Sequence, residues 1–464
     1  MCNVSLNGTQ PTDASIRVLR ALEAAGLEAW YVGGWVRDAL MGRPSHDVDM
    51  CCSGLWQESK EALEAADIAV VESGIKFGGI TAICDDERIE VTTYRLDGFY
   101  TDGRHPQSVE RAASLEDDLA RRDFTVNAMA WHPERGLVDR YDGQGDLDRK
   151  LIRAVGDPKR RFNEDALRML RAVRFACRLD FMIEPKTEQA LAECAPLLDA
   201  VARERVGIEL EGILSTGHGG DAMLRYPELV CAAVPELASA RGFDQRSVYH
   251  AFNVYEHIAR VLTVAGELAL CDGVAPSSSL MWAAFLHDVS KPDCFTVDHA
   301  GSGHFYGHPE LGAKKARAIM DRLALSHDLV RDVCLLIKYH DKPLRPERSC
   351  LLNMMRALSG EGVDTPRLMD ELMDLKRADT LGKAPSCFYY VETIEEMRSL
   401  AHDLLEAGEP YSLKMLAING GDLIRAGVKP GPELGQLLNA ALEAVIEDNI
   451  PNDRETLLVH LNLN

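Results

Sequence analysis

Two aspartates that follow a glycine pair are the residues of this chain best suited to catalysis. Gly33 and Gly34 end a short apolar segment, and Asp47 and Asp49 follow them in the sequence. Residues two apart on a strand point to the same face, so the two carboxylates are predicted to lie together. Paired carboxylates bind Mg²⁺, and the backbone amides of a glycine turn before a helix bind phosphate oxygens. The pattern therefore predicts transfer of a phosphoryl or nucleotidyl group from a triphosphate, with Mg²⁺ as cofactor.

Two further side chains are candidates for the same site. Arg37 follows the glycine pair in a predicted helical turn and supplies a cation for phosphate oxygens. Glu90 lies between two apolar residues of a predicted strand and is a candidate for a third carboxylate beside the pair. An alternating strand equally allows Glu90 a solvated salt bridge, so both interpretations stay open here.

The segments that must position these residues alternate between helix and strand. The residue pattern predicts a helix over residues 13–25, with Asp13 as its N-cap. Further predicted elements of the same region are a helical turn over residues 35–40 and strands at 29–32, 48–51, 79–84 and 88–94. From about residue 149 onward helical patterns dominate. The sequence thus predicts an α+β head followed by an all-α body.

Length and composition limit the class of protein. A chain of 464 residues, 46% hydrophobic and 27% charged, is expected to form several domains. No segment reaches the roughly 18 apolar residues of a membrane span, and the first residues lack a signal-peptide pattern. The 12 scattered cysteines favour reduced thiols, which predicts a cytoplasmic protein. The net charge of −22 argues against broad nucleic-acid binding, but the stretch over residues 149–178 is locally basic.

Three segments carry a resemblance to a known family. They are residues 31–49, residues 119–130 (Leu-Ala-Arg-Arg-Asp-Phe-Thr-Val-Asn-Ala-Met-Ala) and residues 161–175. Together they resemble the nucleotidyltransferase superfamily that includes DNA polymerase beta, and more closely its class II branch of bacterial CCA-adding enzymes and poly(A) polymerases. The resemblance runs from Tyr31 to about Phe181. It implies a polymerase-beta-like catalytic head, ATP and CTP as substrates, and the 3′ end of tRNA as partner.

The middle part of this resemblance implies contacts to the nucleotide. Arg122 is the residue that the family pattern places against the nucleotide, and Asp123 is suited to accept hydrogen bonds from ribose hydroxyls. Residues 96–106 resemble the flexible loop that the family associates with the switch from adding C to adding A. Enzymes that add only CC tend to lack this loop, so its presence favours complete CCA addition.

The third segment is the candidate base-recognition helix. Its polar positions recur every three residues, at Asp165, Arg168, Arg171 and Arg174, and are expected to share one helical face. A template-independent enzyme must choose its bases with side chains. C and A both carry an exocyclic amine, from which a carboxylate can accept a hydrogen bond. A guanidinium can donate a hydrogen bond to the neighbouring ring nitrogen. Asp165 and Arg168 match that pair by resemblance, and Arg171 and Arg174 are predicted to contact phosphate or orient the nucleotide.

A second set of histidines and aspartates lies in the helical body. The set comprises His257, His287, Asp288 and Asp379, with His308 and His340 as further candidates. The first four resemble the ligands of the HD phosphohydrolase superfamily. Imidazole and carboxylate ligands suit a divalent metal of unidentified type, which implies hydrolysis of a phosphate ester or cyclic phosphate. The two further histidines are candidates for a second metal site or for phosphate binding.

The predicted domains follow these motifs. They are a catalytic head over residues 1–148, a helical neck with the base-recognition helix over 149–240, an HD domain over 241–385 and a helical tail over 386–464. The tail resembles that of HD-containing bacterial CCA enzymes. Gripping the tRNA elbow and capping the fold are equally compatible with its sequence.

Several alternatives to a complete CCA-adding enzyme stay open at this point. A bacterial poly(A) polymerase, or an enzyme that adds only CC or only A, uses the same chemistry. An HD phosphohydrolase whose head merely binds RNA belongs to another class, and so does a non-catalytic RNA-binding module. Asp47 and Asp49 argue against the last two, because a binding domain does not need paired buried carboxylates.

Overall fold

The computed structural model describes residues 6, 9–45, 47–73, 75, 78–97, 109–271, 273–448 and 450–463. By their internal contacts these residues form two compact units. Unit 1 is Met1–Leu210 with Tyr226–Ala233, and unit 2 is Glu211–Arg225 with Val234–Asn464. Residues 98–106, which carry most of the predicted flexible loop, lie outside the described residues.

Unit 1 is an α+β structure that continues into helices. Its elements begin with α1 (Asp13–Ala24), β1 (Ala29–Val32), α2 (Gly34–Leu40), β2 (Val48–Cys52), α3 (Trp56–Ala65), β3 (Ala69–Val71), β4 (Gly79–Cys84), β5 (Glu87–Thr93), β6 (Arg95–Asp97), β7 (Val109–Arg111), α4 (Leu115–Ala120), β8 (Met129–His132) and β9 (Gly136–Asp139). They continue with α5 (Gly143–Asp148), β10 (Leu151–Ile152), α6 (Pro158–Glu164), α7 (Arg168–Leu179), β11 (Met182–Ile183) and α8 (Pro185–Cys194). The next helix, α9 (Arg203–Leu214), belongs to unit 1 up to Leu210 and to unit 2 from Glu211. Two short helices follow, α10 (Gly219–Arg225) in unit 2 and α11 (Pro227–Ala233) in unit 1.

The head is organised around one mixed sheet. Within the described residues, seven strands form it in the order β3-β4-β5-β2-β1-β8-β9. The neighbours β2 and β5 are parallel, and their register places Asp49 opposite Glu90. Both faces of β1 are buried, with Tyr31 in one apolar cluster and Trp30 in the other. Close packing on two faces fixes the position of the glycine turn that follows β1.

Two predictions for the head need a correction of one residue. The N-cap of α1 is Thr12 rather than Asp13, because the Thr12 hydroxyl accepts a hydrogen bond from the amide of Ser15 at 3.1 Å. The strand predicted at residues 48–51 is present as Val48–Cys52, but the expectation that Asp47 also lies on it is wrong, because Asp47 immediately precedes the strand. The predicted strands and helices of the head are otherwise present within a residue or two of their expected bounds.

The base-recognition segment is not one continuous helix. Asp165 has an extended backbone (φ −148°, ψ 105°) and separates α6 from α7, which begins at Arg168. The Asp165 carboxylate accepts a hydrogen bond from the amide of Leu167 at 3.0 Å. Such local side-chain bonds compete with helix formation. The expectation that Asp165 shares a helical face with the three arginines was therefore wrong.

Unit 2 is almost entirely helical. After α10 its elements are α12 (Val254–Cys271), α13 (Ser278–Leu286), β12 (Thr296–Val297), β13 (Gly303–His304), α14 (His308–Arg322), α15 (His327–Tyr339), α16 (Arg348–Leu358), α17 (Thr365–Gly382), α18 (Tyr390–Glu406), α19 (Gly420–Arg425), α20 (Pro432–Glu447) and α21 (Arg454–His460). Helix α13 is buried on all sides and packs against α12, α15 and α17, as an apolar helix must. The predicted α+β head and helical body are thus confirmed. Among the described helices, none combines the length and apolarity of a membrane span.

Candidate functional site

A cavity of about 500 Å³ in unit 1 collects the residues predicted for the head. Its lining includes Gly33, Gly34, Arg37, Asp47, Asp49, Glu90, Arg122, Asp123, Asp165, Arg168, Arg171 and Arg174. These residues come from segments more than a hundred positions apart. The fold therefore brings the predicted carboxylates, glycines and arginines to one place.

The carboxylates form one side of this cavity. Asp49 and Glu90 are directly opposite each other on adjacent strands, and Asp47 precedes Asp49 by two residues. Burial raises the pKa of Asp49 to about 6, and repulsion from Glu90 adds to the shift, although Arg122 and Arg37 act against it. The neighbouring cations thus leave negative charge uncompensated. Oxygen donors with excess negative charge fit a hard divalent cation such as Mg²⁺.

The glycine turn lets the backbone approach the carboxylates closely. Gly33 has a left-handed φ of 69°, and a Cβ there would lie 3.0 Å from Nη1 of Arg122 and 3.7 Å from Oδ2 of Asp49. Any side chain at this position therefore narrows the cavity and strains the backbone. Arg37 is buried below the turn, where its Nη1 donates to Asn127 at 2.7 Å and its Nε to Asp38 at 2.8 Å. Arg37 thus has a fixed position at the cavity wall.

Buried ion pairs hold the arginines and aspartate of the 119–130 segment. Asp118 is fully buried and accepts hydrogen bonds from Arg121 and Arg122 at 2.7 to 3.3 Å. Burial alone raises the pKa of Asp118, but the two guanidinium groups outweigh it and lower the net value. Asp123 accepts from Arg171 at 2.7 Å, and this pair, against the effect of burial, lowers the pKa of Asp123 to about 2. The predicted contact of Asp123 with ribose remains a prediction.

The candidate base-reading residues are linked to partners that the sequence did not indicate. Oδ2 of Asp165 accepts from Arg205 at 3.1 Å. Arg168 is buried and donates to Glu164 at 2.9 Å. Arg174 donates to Glu209 at 2.6 Å. Arg205 also lines the cavity.

Phe175 is a second contributor that sequence patterns missed. Its ring lies beneath three guanidinium groups, with Arg174, Arg37 and Arg171 at 4.7, 5.3 and 5.4 Å from its centroid. Cation–π contacts of this kind favour a fixed position for each guanidinium. The ring thus joins the glycine-turn side of the cavity to the α7 side.

Removing the charge of Asp49 is expected to stabilise the metal-free protein. The pKa of Asp49 is raised to about 6, so its ionised form opposes folding at neutral pH. In the presence of a chelator, Asp49→Asn should therefore raise the free energy of unfolding. Each unit of the raised pKa corresponds to about 1.4 kcal/mol, and because solvent screens part of the effect, the expected gain is about 1 kcal/mol. The gain should be complete above about pH 6 and vanish towards about pH 4, where Asp49 is protonated in both states.

Denaturant unfolding of both proteins at several pH values measures this gain. A variant that is less stable than the unsubstituted protein at neutral pH, without metal, would contradict it. Added Mg²⁺ should then stabilise the unsubstituted protein more than the variant.

In unit 2, the predicted HD residues converge into one buried cluster. We call His257, His287, Asp288, His308, His340 and Asp379 the HD cluster. Oδ2 of Asp288 lies 3.3 Å from Nε2 of His257 and 3.2 Å from Nε2 of His287, and Asp379 lies 3.1 Å from His257. Oδ1 of the same Asp288 lies 3.4 Å from His308 and 3.7 Å from His340. Asp288 therefore belongs to two groups of potential metal ligands.

Backbone hydrogen bonds orient the histidines of the HD cluster. Nδ1 of each ring bonds a carbonyl oxygen: His257 to Gly382 at 3.1 Å, His287 to Ala284 at 2.9 Å, His308 to Phe305 at 2.8 Å and His340 to Ile337 at 2.7 Å. A proton on Nδ1 leaves Nε2 as the lone-pair donor, and this is the usual arrangement of metal-binding histidines. Converging imidazole and carboxylate donors fit a divalent metal.

A cavity of about 290 Å³, the HD cavity, opens beside this cluster. It is lined by Lys291, which follows His287 and Asp288 in the sequence, and by His250 and Lys383, which the sequence patterns did not indicate. Lys291 contacts Asp288 at 2.7 Å, and Lys383 contacts Asp379 at 2.6 Å. His250 packs edge-on against His257, with 5.1 Å between ring centroids. Burial lowers the pKa of His250 to about 2, so this ring is neutral at physiological pH.

Family models match four consecutive parts of the chain. They are the "Poly A polymerase head domain" at residues 29–153, the "Probable RNA and SrmB- binding site of polymerase A" at 180–240, the "HD domain" at 254–383 and a tRNA nucleotidyltransferase domain 2 at 386–461. The first two models cover much of unit 1. The third covers the whole HD cluster.

Two relatives that align with nearly the whole chain are CCA-adding enzymes. A CCA-adding enzyme of Streptococcus thermophilus is 33% identical over 96% of this chain and 95% of its own length. A CCA-adding enzyme of Limosilactobacillus fermentum is 32% identical over 95% of this chain and 94% of its own. Among solved structures, the Bacillus stearothermophilus CCA-adding enzyme in complex with CTP has a TM-score of 0.74 at 26% identity, covering 98% of both chains.

Proposed function

This chain belongs to the family of CCA-adding enzymes, and on that premise we propose that it adds C, C and A to the 3′ end of tRNA from CTP and ATP. The observation that carries the proposal is the cavity of unit 1, which unites paired carboxylates, a glycine turn and the candidate base-reading residues. A similar fold binds CTP in the Bacillus stearothermophilus enzyme. RNA polyadenylation and addition of CC or A alone use the same chemistry, but the full-length relatives favour complete CCA addition.

The carboxylates of the head are assigned to metal binding. Asp47 and Asp49 are the proposed Mg²⁺ ligands, and Glu90 is the third carboxylate of the site. The chemistry that Mg²⁺ supplies when bound is activation of the attacking 3′-hydroxyl and neutralisation of charge on the leaving diphosphate. The glycine turn at Gly33 and Gly34 receives phosphate oxygens on backbone amides. No covalent intermediate with the protein is needed, because nucleotidyl transfer depends on position and charge.

The arginines and acidic residues opposite the carboxylates are assigned to the nucleotide. Asp165 accepts from the exocyclic amine of C or A, and Arg168 donates to the adjacent ring nitrogen. Arg37 and Arg174 neutralise triphosphate charge. The fixed ion pairs of the cavity make this choice of base a property of the protein, since no template strand is present.

Single-nucleotide incorporation tests this proposal. A tRNA transcript that lacks its CCA end is incubated with Mg²⁺ and one labelled nucleoside triphosphate at a time. CTP should be incorporated, and ATP should be incorporated once the transcript ends in CC. UTP and GTP should not be, because each presents a carbonyl where Asp165 requires an amine. Equal use of the four nucleotides would contradict the proposed base selection.

Loss of the Asp165 carboxylate should weaken base selection. Asp165→Ala is expected to lower the ratio of CTP to UTP incorporation by at least about tenfold, because a hydrogen bond to a charged group contributes about 1.5–3 kcal/mol. Arg205→Ala should change the ratio in the same direction but less, since Arg205 acts by holding Asp165. Arg203→Ala is the matched control, because Arg203 lies on the same helix as Arg205, α9, but pairs with Asp199 and not with Asp165. An unchanged ratio in Asp165→Ala would remove Asp165 from base recognition.

The body of the chain is assigned a second, hydrolytic activity. The first group of ligands is His257, His287, Asp288 and Asp379, and His308 and His340 complete a second group that shares Asp288. The chemistry that a bound divalent metal supplies is activation of water towards phosphorus. Lys291 and Lys383 provide positive charge for a phosphate ester. These ligands suit several divalent ions, so the metal must be identified by measuring the metal content of the purified protein.

The four predicted domains, residues 1–148, 149–240, 241–385 and 386–464, are retained as part of this proposal. The ranges of the four family models support them. The tail is assigned to tRNA binding by its similarity to a tRNA nucleotidyltransferase domain. A cytoplasmic location follows from the tRNA substrate.

A further inference from the structure

Three guanidinium groups of the cavity in unit 1 converge on the ring of Phe175. Arg174 lies 4.7 Å from the ring centroid, Arg37 lies 5.3 Å from it and Arg171 5.4 Å. Arg37 belongs to α2, whereas the other two arginines belong to α7. Like charges gathered around one ring repel one another. The molecule therefore needs an attraction that keeps three cations in one place.

Carboxylates supply part of that attraction, but they do so by occupying N–H donors. Asp38 accepts from Nε and Nη2 of Arg37 at 2.8 and 2.9 Å. Asp123 accepts from Nε and Nη2 of Arg171 at 2.9 and 2.7 Å. Each pair uses two of the five N–H donors of a guanidinium. The face of a phenyl ring also attracts a cation, yet it has no lone pair that would accept those donors. Phe175 therefore stabilises the charges and leaves donors available for another anion.

The ring of Phe175 is itself held in a fixed position. Phe175 is buried, and the fully buried ring of Phe124 packs edge-on against it, with centroids 5.9 Å apart and planes at 77°. Side chains in such close packing sit in one well-defined rotamer. Cations that rest on a fixed support need less ordering when a ligand binds. The ring thus pre-organises the guanidinium groups around it.

The same ring lines the cavity together with the glycine turn that is assigned to phosphate oxygens. A Cβ added at Gly34 would lie 3.6 Å from Nη2 of Arg37, so this guanidinium lies against the turn. Backbone amides and guanidinium groups both bind phosphate oxygens. A chain of phosphates at the turn is therefore the anion that the remaining donors fit.

We propose that Phe175 is a positioning residue for the triphosphate of the incoming nucleotide, and that the electrostatic attraction of its ring for cations sets the affinity for that triphosphate. The inference rests on the proposed nucleotidyl transfer and adds a residue that acts through Arg37, Arg171 and Arg174. Phe175 needs no contact with the reacting atoms. Its effect belongs to the binding of the phosphates, and the choice of base is made by other residues.

Fluorinated phenylalanines test the electrostatics of the ring at nearly constant shape. Each fluorine withdraws electron density from the ring face, so mono-, di- and trifluorinated analogues in place of Phe175 weaken the cation–π contacts stepwise. The full chain is titrated in the presence of Mg²⁺ with CTP and with inorganic tripolyphosphate, and the two dissociation constants are measured by calorimetry. Tripolyphosphate has neither base nor ribose, so it reports on the phosphate site alone.

Both dissociation constants should rise with each added fluorine, and by about tenfold for the trifluorinated ring. The factor should be the same for the two ligands, because the ring acts on the phosphates. Phe175→Leu, which removes the ring, should weaken both ligands at least as much. The KM for a tRNA transcript should stay unchanged, whereas general damage to the fold would raise it.

Phe181 is the matched control position. Its exposed fraction is 7%, as for Phe175, but it neither lines the cavity nor takes part in the three cation–π contacts. The same analogues in place of Phe181 should leave both dissociation constants unchanged. An equal loss of affinity at the two positions would indicate an effect of packing and would overturn the proposal. Constant affinity for tripolyphosphate along the series at Phe175 would overturn it as well, and so would a loss of affinity for CTP alone.

The transferase function and the positioning role fail in different ways. If the chain adds no nucleotide to tRNA but its affinity for tripolyphosphate follows the fluorination of Phe175, the proposed function is wrong and the positioning role stands. If all analogues add C, C and A with the same KM for CTP and bind tripolyphosphate equally well, the proposed function stands and the positioning role is wrong.

Discussion

Asp47→Ala and Asp49→Ala are each expected to lower the rate of nucleotide addition to tRNA by at least about a thousandfold, because a catalytic metal contributes several kcal/mol of transition-state stabilisation. Asp49 stands opposite Glu90 in the sheet register, and its pKa is raised to about 6 by burial and by that neighbour. Either substitution removes a ligand that the remaining carboxylates do not replace. Folding should be preserved, because neither side chain is fully buried.

The measurement is the single-turnover rate of CTP incorporation at saturating Mg²⁺. Glu61→Ala is the matched control, since Glu61 is an exposed carboxylate on α3, away from the cavity lining. It should leave the rate unchanged. If Glu90 is a metal ligand, the rate of Glu90→Gln should lie between the rates of the control and of the aspartate variants. If Glu90 forms a solvated salt bridge, the rate of Glu90→Gln should equal that of the control. A head that still adds nucleotides without Asp47 or Asp49 would exclude the two-carboxylate mechanism.

Asp288→Asn is expected to lower the rate of phosphate-ester hydrolysis by unit 2 by at least about a hundredfold, again because a metal ligand is lost. Asp288 is the residue that both groups of potential ligands share, with one oxygen facing His257 and His287 and the other facing His308 and His340. The substitution should therefore lower the metal content of both groups together. His340→Ala touches one group and should lower metal content by less.

Metal content after dialysis, measured on the full chain, and hydrolysis of a simple phosphodiester test this expectation. His327→Ala is the control, since His327 is an exposed histidine at the start of α15 and not part of the HD cluster. Addition of C and A to tRNA should be retained in Asp288→Asn, because that chemistry is assigned to unit 1. If Asp288→Asn binds as much metal as the unsubstituted protein, metal binding by the HD cluster does not depend on this carboxylate.

The positions of the head elements follow closely from local sequence patterns. Alternating and continuous apolar runs predicted β1, β2, β4 and β5, and the glycine pair marked the turn before α2. These signals are local, because each depends on residues a few positions apart. Thr12 was missed as the cap of α1 since Thr12 and Asp13 are both good capping residues, and the choice depends on backbone angles that composition does not fix.

The break before α7 could not be predicted from spacing alone. Asp165 and the arginines recur every three residues, which is typical of a helical face, yet Asp165 bonds the amide of Leu167 and leaves the helix. Its partner Arg205 lies forty residues further along. Long-range partners of this kind depend on tertiary packing, and one sequence carries no signal for them.

The HD cluster could be predicted from the sequence because adjacent His287 and Asp288, with His257 upstream and Asp379 downstream, resemble the HD ligand pattern. The surrounding cavity could not. His250 lies in a loop and Lys383 at a helix end, and neither position has a distinctive sequence pattern. Residue types therefore predicted the candidate ligands, whereas the shape of the space around them required the structure.

Complete CCA addition is tested most directly by the length of the product that the purified full chain makes on a tRNA transcript lacking its CCA end, with CTP, ATP and Mg²⁺ together. Products are separated at single-nucleotide resolution and sequenced. We expect the transcript to grow by C, C and A and then to stop. A long A tail, termination after CC, or addition of A alone would contradict it.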